Sequence, residues 1–198
     1  MGNSVVVHLI RHEKTKANLE RKYIGWTDES IVMKKASVQI PMKPTIVYGS
    51  DLKRCEETAK LYFPNAQYHP FRGLRELNFG DFEMKTYEEL KENETYRRWI
   101  DAPDKTSPPN GEAFLDFERR VLSCFQQIIK GSGEYVFVVH GGVIRVILST
   151  YLQEQRFQEV MVEHRKIYTL SWDDLQLWKG GEPCKQLSVV PIMVNENL

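Results

Sequence analysis

Three short apolar runs in this chain each end on polar side chains suited to chemistry. Val5-Val6-Val7-His8-Leu9-Ile10 runs into Arg11-His12. Thr45-Ile46-Val47-Tyr48 runs through Gly49 into Ser50-Asp51, with Arg54 one turn later. Tyr135-Val136-Phe137-Val138-Val139 runs into His140-Gly141-Gly142. Two arginines, two histidines and a glycine-opened helix start describe an anion pocket. Arginine forks match phosphate oxygens bidentately. The glycine pair permits a tight strand-to-helix turn, with backbone N–H groups open to an anion. A histidine in such a pocket has two roles open to it: nucleophile that takes the phosphoryl group, or charged partner of its oxygens. Departure of the leaving group then needs a proton donor. A carboxyl beside a dense anion site can have its pKa raised toward neutrality. Glu76, in Leu74-Arg75-Glu76-Leu77 ahead of Phe79-Gly80-Asp81-Phe82, is that candidate, although Glu76, Asp81 and Glu83 are each equally open to plain solvation.

Taken singly, each of these residues has an ordinary explanation. His12 and His140 could be strand-end histidines, Arg11 solvated charge, and Arg54 a helix-surface arginine. What raises them is convergence. In open α/β sheets ligands sit beyond the carboxyl ends of parallel strands, so three such ends would bring the clusters to one edge. His8, inside its strand, reads as a satisfied core or interface histidine; His69 and His164 carry no assignment.

The elements that must position these groups alternate. The β-branched run at 5–10 reads as a strand buried on both faces, and 45–48 as a second strand. A helix should open with Ser50 or Asp51 as its cap and end at Pro64, with Leu52, Cys55, Ala59 and Tyr62 at helical spacing. Residues 84–101 look helical, and 102–111 form a Pro-rich loop. A long helix is expected from about Glu112 to Lys130, a strand at 135–139, a helix from Val143 to Leu152, and strands at 167–172 and 186–190 around the Gly180-Gly181 turn. The class is therefore α/β, a three-layer α/β/α sandwich with a mainly parallel sheet and helices on both faces. No internal repeat or linker marks a second domain, so a single domain over 1–198 is expected, with a small cap segment inserted at about 74–111.

Composition narrows the function classes. With 27 Lys+Arg against 27 Asp+Glu the net charge is zero, which argues against a broad nucleic-acid surface or a polybasic membrane anchor. Cys55, Cys124 and Cys184 are odd in number and far apart, which fits a reducing compartment rather than a disulfide framework. The run at 5–10 is too short for a signal-peptide core, and no stretch approaches the roughly 20 apolar residues of a membrane span. The expectation is a cytoplasmic protein with a small-molecule partner, no nucleic acid and no membrane. Nothing in the patterning sets an oligomeric state.

The motifs together resemble the histidine phosphatase superfamily, the phosphoglycerate-mutase-like proteins. Arg11-His12-Glu13-Lys14-Thr15 with Asn18 resembles the opening signature Arg-His-Gly-Glu-Thr-x-x-Asn. Gly25-Trp26-Thr27-Asp28, Ser50-Asp51-Leu52-x-Arg54-x-x-x-Thr58-Ala59, Leu74-x-Glu76-x-x-Phe79-Gly80, Pro109-Asn110-Gly111-Glu112 and Val138-Val139-His140-Gly141-Gly142 follow in the family's order. The resemblance implies that His12 attacks phosphorus and carries a phosphohistidine. It implies that Arg11, Arg54 and His140 hold the phosphoryl oxygens, with Asn18 and the Gly141 backbone adding hydrogen bonds. Glu76 would be the proton donor and then the base for water. No metal and no cofactor would be needed. Two departures stand out. The usual glycine after the histidine is Glu13, which places a carboxylate beside a phosphate site, and the usual glutamate is Lys14. The helix usual after Asp28 is poorly written: Glu29 to Ile40 carries Lys34-Lys35 and lacks the family's Gly-x-x-Gln-Ala pattern, which leaves the structure of 29–44 open.

The function this implies is a metal-independent phosphomonoesterase acting on a small phosphorylated metabolite. The short segment between Arg54 and His140 favours a phosphatase over a mutase, and the compact build leans toward α-ribazole 5′-phosphate as substrate. The alternatives are mutase-type phosphoryl transfer and a non-catalytic phosphate-binding module, the latter suggested by Glu13. A metal hydrolase using His12, His140 and Glu76 lacks HxH or HExxH spacing. Specificity should come from 15–44 and 77–111, where Tyr23, Trp26, Phe82, Arg97 and Arg98 could meet a substrate ring or second anion, and Tyr96 and Trp99 read as core.

Overall fold

A computed structural model describes residues 3–152 and 156–195. Strands β1 (Val5–Arg11), β3 (Ile46–Ser50), β4 (Gln67–Phe71), β5 (Gly133–Val139), β6 (Lys166–Trp172) and β7 (Gln186–Pro191) form one six-stranded sheet in the order β4-β3-β5-β1-β6-β7. The β4, β3, β5 and β1 strands run parallel; β6 is antiparallel to β1, and β7, antiparallel to β6, runs in the direction of β1 again. Short strands β2 (Ser37–Gln39) and β8 (Met193–Asn195) pair separately.

The near-continuous apolar runs follow from burial on both faces. On β1, Val5, Val7 and Leu9 point into a core shared with α5 (Phe114–Ile128) and α6 (Gly141–Tyr151). Ile10 joins the opposite face with α2 (Lys53–Tyr62), through Cys55, Ala59 and Tyr62. On β5, Phe137 and Val139 take the first face and Val136 and Val138 the second. Two-sided burial requires helices on both faces, which gives the expected α/β class. Phe125, Phe137, Tyr151, Trp172 and Trp178 stack at the centre of the larger core, with ring centroids 5.0–5.2 Å apart along the chain of contacts. No helix among the described residues is long and apolar enough to cross a membrane.

Several expectations are revised. The 84–101 segment is two helices, α3 (Tyr87–Leu90) and α4 (Glu94–Asp101), because Asn93 caps the second by accepting from the Thr95 and Tyr96 N–H groups. α2 starts at Lys53 with Leu52 in the cap position and no side-chain cap. Ser50 Oγ instead accepts from Leu52 N, and Asp51 is drawn into a bidentate pair with Arg75, both contacts at 2.7 Å. The Gly180-Gly181 turn follows a short helix, α7 (Leu175–Lys179). Residues 29–44, which follow the short helix α1 (Lys16–Leu19), carry no helix, only β2. Within 74–111, Phe82, Leu90, Tyr96 and Trp99 form a small core of their own.

Candidate active site

The parallel pairing aligns the carboxyl ends of β1, β5 and β3. Arg11, last on β1, is level with Val139, last on β5, and the His12 N–H extends that ladder to the Val139 carbonyl at 2.9 Å. His140 follows β5 as the N-cap residue of α6, and Arg54 lies in the first turn of α2 after β3. The three polar clusters therefore converge on one sheet edge. Glu76 joins them from the loop after β4, where its Oε2 accepts from the Gly142 N–H at 2.8 Å and its Oε1 from the Leu77 N–H at 3.0 Å.

The hydrogen bonds fix opposite tautomers in the two central histidines. His12 Nδ1 lies 2.7 Å from the Glu13 carbonyl, which can only accept, so Nδ1 carries the proton and Nε2 keeps its lone pair. His140 Nδ1 accepts from Arg54 Nε at 3.2 Å, so its proton sits on Nε2. The two rings meet edge-on, with centroids 5.1 Å apart. Burial, reinforced by the charges of Arg54 and Arg11, holds His12 well below the ordinary histidine pKa. The same causes act on His140, with His12 as a further neighbour. Both rings are thus neutral at neutral pH: one offers a nucleophilic lone pair, the other an N–H donor rather than a positive charge.

The cations are rigidly held. Arg54 is fully buried, and Nη1 and Nη2 donate to the carbonyls of Thr27 at 2.9 Å and Gly25 at 2.6 Å. That loop is itself clamped by Glu83, whose carboxylate accepts from the N–H groups of Trp26 and Thr27, each at 2.7 Å, and from the Thr27 hydroxyl. Arg11 donates Nη1 to the Val162 carbonyl at 3.0 Å, while its Nε is buried without a hydrogen-bond partner among the described residues. Gly141 matters here because a Cβ would come within 3.3 Å of the Arg11 guanidinium carbon. Gly141 N–H, first in α6, has no partner within the helix. Asn18 Oδ1 is spent on Thr15, accepting from its N–H at 3.1 Å and lying 3.3 Å from its hydroxyl, which orients the amide and leaves the Nδ2 donors. Asn18 borders the same mouth as Arg11 and Lys14.

Glu13 turns away from this cluster. Its carboxylate is buried on the α2 side, accepting from the Tyr62 hydroxyl and from Arg165 Nε at 3.1 Å. It therefore does not oppose an anion at His12. Sequence reasoning missed His164, whose Nδ1 lies 2.7 Å from the His12 carbonyl and whose ring centroid is 5.8 Å from that of His12. Burial, together with Arg11, pulls its pKa down to about 4. It also missed Glu83 as a clamp and the closeness of Cys55, whose Sγ is 3.5 Å from His140 Nε2. His8 is satisfied as expected, with contacts of 2.8 Å to both Thr169 and Glu134. Asp81 is exposed and pairs with Asn110.

Besides the mouth at Asn18, two further hollows border Arg11. One, of about 330 Å³, opens at Glu76 and Gly142 and is walled by Tyr23, Phe79, Trp99, Phe114 and Phe157 with Arg145. The other, about 850 Å³ and more open, is edged by Lys14, Lys34, Lys35 and His164. Of the specificity candidates, Tyr23 and Trp99 reach the first. Phe82 and Tyr96 are core, Trp26 lies beneath Arg72 and Arg75, and Arg97 and Arg98 point to solvent. Among the described residues no three His, Cys, Asp or Glu side chains gather in a metal-ligating cluster.

The chain is similar to proteins already known. The model of the histidine phosphatase superfamily (branch 1) matches residues 7–179. The adenosylcobalamin/alpha-ribazole phosphatase of Escherichia coli K12 is 30% identical over 160 residues, covering 71% of this chain and 76% of that one. A metal-independent phosphoserine phosphatase of Arabidopsis thaliana is 32% identical over 157 residues, covering 70% and 65%. The crystal structure of a putative alpha-ribazole-5′-P phosphatase from Escherichia coli K-12 superposes with a TM-score of 0.75, covering 96% of each chain at 20% identity, a likeness of fold.

Proposed function

The chain belongs to the histidine phosphatase superfamily and is a phosphatase; within that family we propose that it is a metal-independent phosphomonoesterase working through a phosphohistidine. The observation that carries the reading is the pair of fixed tautomers. With Nδ1 tied to the Glu13 carbonyl, His12 keeps the lone pair on Nε2, while His140, whose ring lies edge-on to it, keeps an N–H. In the first step the His12 Nε2–P bond forms as the ester P–O bond breaks. Glu76 passes a proton to the departing oxygen. Arg11, Arg54, the His140 Nε2–H, Asn18 Nδ2 and the Gly141 N–H hold the phosphoryl oxygens as their charge redistributes. In the second step Glu76 takes a proton from water, the water oxygen bonds to phosphorus, and the N–P bond breaks to give orthophosphate. The arginines supply the positive charge that a metal supplies elsewhere.

Residues 74–111 act in this reading as a cap, carrying Glu76 and walling the aromatic hollow. For the leaving group, α-ribazole 5′-phosphate is supported by that aromatic lining and by the substrate named for the relative above. We place the protein in the cytoplasm, with a small phosphomonoester as partner and neither nucleic acid nor membrane. The binding-module alternative loses its motive, since Glu13 is engaged by Tyr62 and Arg165.

The test is phosphate release from a panel of phosphomonoesters in excess chelator, with wild type beside His12→Ala. Turnover should persist in chelator and vanish in the variant, and acid-labile, alkali-stable phosphate should be trapped on wild type alone. Undiminished turnover by His12→Ala would overturn the mechanism; transfer to a second hydroxyl in place of hydrolysis would move the assignment to a mutase.

A further inference from the structure

Arg145 lies on α6, one turn beyond Gly141, and the phosphohistidine chemistry leaves it without a role. Its guanidinium lines the 330 Å³ hollow at the Glu76 side of the site. Its Nε is buried and meets no hydrogen-bond acceptor among the described residues. The Cζ atom sits 5.8 Å from the centroid of the Phe157 ring, so an aromatic face supports the fork without neutralising it. Among the described residues, Glu76 is the one carboxylate lining the hollow, and both its oxygens accept backbone N–H groups. Arg11 meets two charges from this side: the Glu76 carboxylate, which favours its charged form, and, with a smaller effect, Arg145, which opposes it.

The Arg145 fork therefore holds a buried Nε–H that meets no acceptor among the described residues, against the Phe157 ring, which supports it without neutralising it. Burial of a charge is tolerated where a partner compensates it. The transferring phosphoryl group already has Arg11, Arg54 and His140. The unused fork faces the leaving-group side, where Glu76 delivers its proton. We propose that Arg145 binds a second oxyanion, a carboxylate or phosphate carried by the leaving group, and so selects anion-bearing phosphomonoesters. This rests on the phosphohistidine chemistry of the phosphatase reading but not on its α-ribazole substrate, since a leaving group that carries an anion fits Arg145 better than the neutral α-ribazole.

Matched ester pairs test this. Glycerol 3-phosphate and 3-phosphoglycerate differ by a carboxylate, as do phenyl phosphate and 4-carboxyphenyl phosphate; fructose 6-phosphate and fructose 1,6-bisphosphate differ by a phosphate. Wild type should favour the charged member in kcat/KM, mainly through KM. Loss of a charge-assisted pair is worth about 10- to 100-fold, so Arg145→Gln should erase a preference of that size and act weakly on the neutral members. Arg145→Lys should keep part of it, because the charge survives and the fork does not. The carboxylate and bisphosphate arms show which oxyanion is read.

Equal losses on both members of each pair would overturn the proposal, since Arg145 would then serve the transferring phosphoryl group or the fold. Absence of a wild-type preference would overturn it too, as would α-ribazole 5′-phosphate outrunning every anion-bearing ester without change in Arg145→Gln. If wild type turns over no ester, or His12→Ala is undiminished, the phosphohistidine reading fails on its own account. The same pairs are then compared by titration calorimetry, where a tighter Kd for charged members that disappears in Arg145→Gln upholds the anion site and equal Kd values refute it.

Discussion

His164 should make the fold acid-sensitive in a way that one substitution can isolate. Its ring is held against His12 with Nδ1 donating to the His12 carbonyl, and burial beside Arg11 brings its pKa from 6.5 down to about 4. The fold therefore excludes the extra proton, while the unfolded chain accepts it below pH 6.5. The unfolded state binds more protons throughout that window, so stability rises with pH there and is lost as pH falls from 6.5 toward 4. At 1.36 kcal/mol per pKa unit, His164 alone costs about 2 kcal/mol between pH 7 and pH 5. For a domain of this size that is a Tm loss of roughly 4–8 °C. His164→Asn keeps a donor for the His12 carbonyl and removes the titration. Denaturant unfolding of both proteins at pH 7 and pH 5 gives a double difference in which every other titrating group cancels. The variant should lose about 2 kcal/mol less than wild type across that interval. Parallel losses would refute the assignment of the acid sensitivity to His164.

Other outcomes follow from single contacts. Gly142→Ala places a methyl group on the Glu76 carboxylate; turnover of poor leaving groups should fall about 10- to 100-fold, and that of p-nitrophenyl phosphate, which needs little protonation, should fall much less. Phe125→Ala removes a fully buried ring packed on Phe137 and Trp178; denaturant unfolding should show a loss of about 3–5 kcal/mol. Tyr62→Phe strips one donor from the buried Glu13 carboxylate; stability should fall by about 1–3 kcal/mol, with kcat near wild type because Glu13 points away from His12.

The sheet's central strands, and the residues that end them, are legible in the order of residues alone. β1 and β5 are legible because two-sided burial writes an unbroken apolar run, and a parallel sheet then obliges their carboxyl ends to share an edge. α5 and α6 are legible from helical spacing. Strand β4 was not, because Gln67–Phe71 is half-buried at a sheet edge and carries little periodicity. The break between α3 and α4 had a local signal, the Asn93 cap, overridden by an apparently continuous helical composition. Tertiary structure alone decided the direction of Glu13, since a buried carboxylate goes where donors are, and Tyr62 and Arg165 arrive from α2 and from the approach to β6. It alone brought in His164 as well. β6 is antiparallel, so its amino-terminal approach lies at the edge where β1 finishes, 152 residues away in sequence. The tautomers of His12 and His140 were decided in the same way, one by the carbonyl of its neighbour Glu13 and the other by an arginine 86 residues distant. Residue types and local spacing fix which groups can take part; directions, partners and protonation states belong to contacts that exist only once distant segments have packed.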